Sequence, residues 1–116
     1  MSSVATVSDA RVVFVTAPSE AVAVQLTRAL VSEGLAACGT LVPGVRSIYR
    51  WKGEICDDAE VLVLFKTQAE RVHALTERIQ ALHPYEVPEV LAVPVASGLP
   101  AYLDWIEAQV PSAGRD

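Results

Sequence analysis

A chain of 116 residues, 52% hydrophobic but only 6% aromatic, can bury one aliphatic core and is too short for two domains of ordinary size. Its formal net charge of −5, with nine basic residues scattered rather than clustered, lacks the electrostatic footprint of a nucleic-acid binder. There is no apolar run near 18 residues and no secretory pattern at the start, so the expectation is a soluble, cytoplasmic protein without a membrane segment, its two cysteines, Cys38 and Cys56, reduced.

Residues 1–10 are small and polar and read as a disordered N-terminal tail; 11–110 form a single domain, and 111–116 a C-terminal tail. Arg11 to Thr16 is a β-branched run that predicts a buried strand. Pro18 or Ser19 opens a helix with Glu20 favourable to its dipole, Val22, Leu26, Ala29 and Leu30 form the inner stripe, and Gly34 caps the end. Leu35 to Leu41 predicts a second strand, broken at Pro43-Gly44 and resumed through Val45 to Trp51. Lys52-Gly53 marks a hairpin reversal, with Gly supplying a positive φ. The return strand runs from Glu54 to Lys66, with Cys56-Asp57-Asp58 expected to interrupt it as a bulge.

Thr67-Gln68-Ala69-Glu70 has the spacing of a capping box, and the second helix would turn Val72, Leu75, Ile79 and Leu82 inward. A last strand follows over Val90 to Val95, with Pro88 at a strand start or on an edge. A third helix begins near Pro100 and should bury Leu99, Leu103, Ile106 and Val110. The order β-α-β-β-α-β, plus a C-terminal helix, predicts an α+β ferredoxin-like sandwich with one helical layer on one sheet.

That fold conflicts with the strand patterns. A sheet covered on one face should alternate apolar and polar residues. The runs Val12–Val15, Val61–Phe65 and Val90–Val95 are apolar on both faces, and three short helices do not cover both. Other copies of the chain resolve the conflict, giving an obligate oligomer with a large apolar interface, into which the long hairpin could reach by sheet extension.

His83-Pro84-Tyr85-Glu86-Val87-Pro88-Glu89 carries an imidazole, a phenol and two carboxylates in a backbone stiffened by two prolines, which makes it a candidate cation site. Two readings of His83 stand: a C-cap satisfying helix carbonyls, or a metal ligand with Glu89 as carboxylate partner, a pair suited to zinc or copper. Glu86 either joins them or faces solvent, and Tyr85 reads as a half-buried anchor. Cys38 reads as a small buried hydrophobe, Cys56 as a more exposed thiol beside two acids, and His73 as a solvated neighbour of Glu70 and Glu77. Tyr49 and Trp51 share one face of the hairpin, with Arg46 and Arg50 on the other, and the aromatic pair is expected to anchor an interface. No catalytic triad, Walker loop or dinucleotide fingerprint is present, and Thr16 to Glu20 lacks the arginine an acylphosphatase-like anion cradle would need.

Leu35-Ala36-Ala37-Cys38, Val42-Pro43-Gly44, Ser47 to Gly53, Lys66-Thr67, His83 to Glu89 and Tyr102-Leu103-Asp104-Trp105, in that order, resemble the CutA divalent-cation-tolerance family over about residues 11–110. The resemblance implies a homotrimer, architecturally similar to PII signalling proteins, with hairpins packed between subunits. It further implies a non-enzymatic protein that binds Cu²⁺ or another divalent cation and needs no organic cofactor. Family copper sites have been linked to a first-strand cysteine with the His and Glu that match His83 and Glu89. Here Val15 stands at the cysteine position, and Ala17 at the other place relatives can carry one. Losing the soft ligand implies a harder, poorer site with weaker Cu(I) preference. A PII-like module holding a small metabolite or partner protein in inter-subunit clefts is the alternative.

Overall fold

A computed structural model describes residues 8–111; of the tails expected at 1–10 and 111–116, residues 1–7 and 112–116 lie outside them, and Ala10 opens the first strand. The elements are β1 (Ala10–Ala17), α1 (Glu20–Ser32), β2 (Cys38–Trp51), β3 (Glu54–Gln68), α2 (Val72–Leu82), β4 (Leu91–Pro94) and α3 (Pro100–Gln109). The strands form one antiparallel sheet in the order β2-β3-β1-β4, the arrangement of a ferredoxin-like sandwich.

Local chemistry explains the helix ends. Ser19 is the N-cap of α1, its hydroxyl accepting from the Val22 N–H at 3.2 Å. Gly34, at φ 73°, closes the other end: its N–H donates to the Val31 carbonyl and the Leu35 N–H to the Leu30 carbonyl, a Schellman pair. Thr67 to Glu70 does not form the expected capping box. Thr67 is still paired to Arg11 inside the sheet, and its hydroxyl donates to the Leu35 carbonyl at 2.7 Å. The chain then passes through a 3-10 turn, Ala69–Arg71, before α2 begins without a side-chain cap. A long-range bond has taken the hydroxyl that the local motif required.

One face of the sheet is sealed. Val13, Val15 and Ala17 of β1 and Val61, Val63 and Phe65 of β3 pack with Leu26 and Leu30 of α1 and Leu75 and Ile79 of α2. Leu82, expected inward, is exposed at the end of α2. Helix α3 closes a second, smaller cluster, setting Ile106 and Val110 against Ala10 and Ala37; Leu103 is half-buried against it. Leu99 precedes that helix and is 71% exposed rather than buried.

The opposite face is apolar too. Register places Val12 and Phe14 beside Leu64 and Lys66 on one side and beside Leu91 and Val93 on the other. Leu91 is 61% and Val93 42% exposed. A strand residue points to the face opposite its neighbours', so none of these side chains reaches the α1–α2 layer.

The β2–β3 ladder continues past the end of β1, whose pairing stops at Ala17↔Val61. From Val45↔Glu60 to Trp51↔Glu54 it is a two-stranded arm, turned by Lys52 (φ 52°) and Gly53 (φ 83°), both in the left-handed region as a type I′ turn requires. The arm stretches the molecule to 54 × 29 × 22 Å and its radius of gyration to 15.3 Å, where a compact domain of this length has about 13 Å. The ladder's irregularity lies between Val42 and Val45, where Pro43 and Gly44 (φ 77°) bulge the edge strand. Cys56-Asp57-Asp58 pairs in regular register and is not a bulge.

Replacing Thr67 by the near-isosteric valine leaves the buried Leu35 carbonyl without its hydroxyl donor. Thr67→Val is expected to lower stability by about 1–3 kcal/mol, read as a lower denaturant midpoint at unchanged m-value.

Candidate functional site

The stretch 83–89 leaves the end of α2 and runs beside the base of the arm. Between them lies a cleft of about 850 Å³ whose lining includes Thr16, Glu60, Tyr49, Trp51, Tyr85 and Glu89. Two links cross it. The Tyr85 hydroxyl donates to Glu60 Oε2 at 2.5 Å, and Lys52 at the arm's turn comes within 4.0 Å of Glu86. The second link is largely solvated and contributes little. The first ties a half-buried phenol to a carboxylate that is only 7% exposed.

His83 is buried, 7% exposed, and both ring nitrogens are engaged. Nε2 lies 2.8 Å from the Thr16 carbonyl oxygen, an acceptor only, so Nε2 carries the proton and donates. Nδ1 accepts the Tyr85 backbone N–H at 3.1 Å. The ring therefore does satisfy a carbonyl, but on β1 and not on its own helix. Its backbone N–H ends the helix on the Ile79 carbonyl. Glu89 lines the same cleft and is exposed, as is Glu86.

As a metal site these donors fall short. A ligating imidazole must offer a free lone pair, and His83 has neither nitrogen free. Val15 and Ala17, at the positions where a soft ligand would stand, are apolar and fully buried. Among the described residues no three His, Cys, Asp or Glu side chains lie together so as to hold a metal. The donor set of one chain does not fit a tight copper or zinc site.

Sequence reasoning missed Glu60 and the Thr16 carbonyl. An acid opening the apolar run Val61–Phe65 was the available signal for the first; nothing local marks the second. Elsewhere the arm's side chains pair across strands. Arg46 holds Asp57 through two bonds of 2.8 Å, which keeps that carboxyl below its usual range. The Tyr49 hydroxyl donates to Asp58, and this bond pushes the phenol well above its ordinary value of 10.0. Burial, and then the Glu60 bond, push Tyr85 up likewise. Cys38 is half-buried at the start of the edge strand, its sulfur 3.6 Å from the Tyr102 hydroxyl. Cys56 is half-buried opposite Tyr49, and His73 is solvated, 3.5 Å from Glu77.

Fold and site together define a ferredoxin-like α+β protein with a carboxylate-lined cleft at the base of a projecting hairpin. Comparison with known proteins gives the family. A model described as CutA1 divalent ion tolerance protein matches residues 11–109. The divalent-cation tolerance protein CutA of Thermus thermophilus is 54% identical over 95 residues, 82% of this chain and 92% of that one. Mouse CutA is 54% identical over 102 residues, 88% of this chain, which spans only 58% of the mouse protein's length. The crystal structure of CutA from Xylella fastidiosa aligns with a TM-score of 0.87 at 46% identity, covering 90% of this chain and 100% of that one. CutA1 from Oryza sativa aligns at 0.88 and 39% identity, covering 94% and 100%. The chain belongs to the CutA1 divalent ion tolerance family.

Tyr85→Phe leaves Glu60 buried without its phenol donor and is expected to destabilise by about 1–3 kcal/mol, while Glu60→Gln keeps an acceptor for the hydroxyl and costs less. The raised phenols fix a pH dependence. Tyr49 and Tyr85 ionise less readily folded than unfolded, so their contribution is intact below about 10, the unfolded value, and is lost as pH rises beyond it. Absorbance titration of tyrosine should show ionisation delayed to alkaline pH in the native protein and normal in denaturant.

Proposed function

We propose that this chain acts as a cytoplasmic, non-enzymatic divalent-cation tolerance protein that assembles as a homotrimer and binds copper or another divalent cation weakly. Family membership across residues 11–109 is the observation that carries this reading. No helix among the described residues is long and apolar enough to cross a membrane. The assembly is supported by the uncovered apolar face around Leu91 and Val93 and by the two-stranded arm, since an isolated hairpin is at best marginally stable in water. Tyr49 and Trp51, both exposed on one face of that arm, are its proposed interface anchors. A non-enzymatic role fits a cleft in which Glu60 and Tyr85 are committed to each other, Tyr49 to Asp58 and Arg46 to Asp57, while Glu86 and Glu89 stand exposed at its lining.

On this reading the cation lies in the cleft and its binding depends on His83 and Glu89, the pair the family resemblance nominates. The available donors are mostly carboxylate and hydroxyl oxygens, which favours harder divalent ions over Cu(I). In a calorimetric titration with Cu²⁺ and Zn²⁺, the native protein should bind weakly, and a His83→Ala/Glu89→Ala double variant should lose that heat; equal affinity in both removes the site. Light scattering on the eluting protein should give the mass of three chains at micromolar concentration, and a stable lone chain there refutes the assembly.

A second reading has its own support: a cleft of about 850 Å³ is far larger than one ion and is of the size that holds small organic ligands. On that reading the protein is a PII-like scaffold for a metabolite or a partner protein. A metabolite-dependent rise in melting temperature that persists in chelator would favour it.

A further inference from the structure

We infer that His83 is a positioning residue in this chain: its ring latches the 83–89 stretch to β1 and so aims the Tyr85 phenol at Glu60, leaving a cation in the cleft to oxygen donors such as Glu89. This rests on the cation-binding reading above and assigns its two key residues different roles.

The latch follows from the ring's two valences. Nε2–H reaches the Thr16 carbonyl at 2.8 Å, and Nδ1 takes the Tyr85 N–H at 3.1 Å. An imidazole donates from one edge and accepts at another, across a rigid ring; an amide side chain does both from the same end. The ring thus fixes the strand on one side and residue 85 on the other. Tyr85 stands against it, with ring centroids 4.6 Å apart and planes at 48°, so the phenol is directed by the same contact. At its far end the hydroxyl meets Glu60, an acid buried to the same extent as His83. A chain of three contacts therefore runs from β1 through the 83–89 stretch to β3.

Coordination at His83 would dismantle that chain. Binding through Nδ1 takes the acceptor from the Tyr85 N–H. Binding through Nε2 breaks the bond to the Thr16 oxygen and leaves the neutral ring's proton on Nδ1, where it opposes the Tyr85 N–H. Glu89 carries no such commitment: it lines the same cleft and is exposed. The oxygen-donor chemistry left for the ion is that of a hard, weakly held divalent cation.

The chain has only two histidines, so ¹⁵N-labelled full-length protein resolves both rings, with solvated His73 as the internal reference. The expected spectrum for His83 is a single Nε2–H tautomer with a slowly exchanging proton, both nitrogens unmoved as zinc chloride is added until no signal shifts further. An Nδ1–H or averaged tautomer, or a zinc-induced shift of either His83 nitrogen, overturns the assignment. If zinc binds nowhere, the cation-binding reading fails while the tautomer still decides the latch. In His83→Ala the signal of the Tyr85 hydroxyl-bearing carbon should move as it does in Glu60→Ala, with Tyr49 unaffected; a Tyr85 signal left in place refutes the aiming role. Should that variant not fold, the native spectra decide.

Discussion

The structure depends on an imbalance of cover. Two helices, of 13 and 11 residues, can lie on only one face of a four-stranded sheet, and here α1 and α2 both lie on the face of Val13, Val15, Val63 and Phe65. The other face carries Val12, Phe14, Leu62, Leu64, Leu91 and Val93, and α3 closes only a small cluster beside Ala10 and Ala37. Burying a side chain of the size of Leu91 contributes about 1.5–3 kcal/mol relative to leaving it in water. A row of such residues leaves stabilisation unrealised on the open face, above all at Leu91 and Val93. The arm has the same deficit. Beyond Val61 it has no third strand, and Ile48 and Ile55 on one side and Tyr49 and Trp51 on the other remain exposed. Face and arm are continuous through β3, so one assembly can satisfy both, which is why oligomerisation is proposed as part of the fold and not as an addition to it.

Much of this architecture was legible from residue patterns, because strands and helices here follow strong periods. The misreadings share one cause: a local signal lost to a distant partner. Thr67 to Glu70 looks like a helix start, but the hydroxyl is taken by Leu35, 32 residues away. Pro43-Gly44 looks like a strand break, yet β2 is an edge strand that tolerates a proline and a bulge while β3 keeps the ladder intact. Cys56-Asp57-Asp58 looks like an irregularity because two adjacent acids are poor strand formers; Arg46 and Tyr49 across the ladder partner them.

The candidate site shows the same limit more sharply. That His83 ends a helix is written in Pro84, but what its ring does is decided by a carbonyl 67 residues earlier. Tyr85 as a half-buried anchor follows from its neighbours, whereas its anchor point, Glu60, sits on a strand that sequence alone does not bring to it. Residue type nominated the stretch; only the fold separates a side chain that faces the cleft from one that holds the cleft's wall.

That separation bears on how a tolerance protein can bind ions at all. A tight site needs several donors held ready and otherwise unsatisfied, a state that costs folding energy unless the ion is present. Around this cleft the buried Glu60 and His83 are instead already bonded, Glu60 to Tyr85 and His83 to Thr16 and Tyr85. The carboxylates left over, Glu86 and Glu89, are exposed, so an ion held by them would gain little over its hydration. Weak binding, as proposed, would follow from a wall whose polar groups already pair with one another, and a tighter site would need donors from outside this chain.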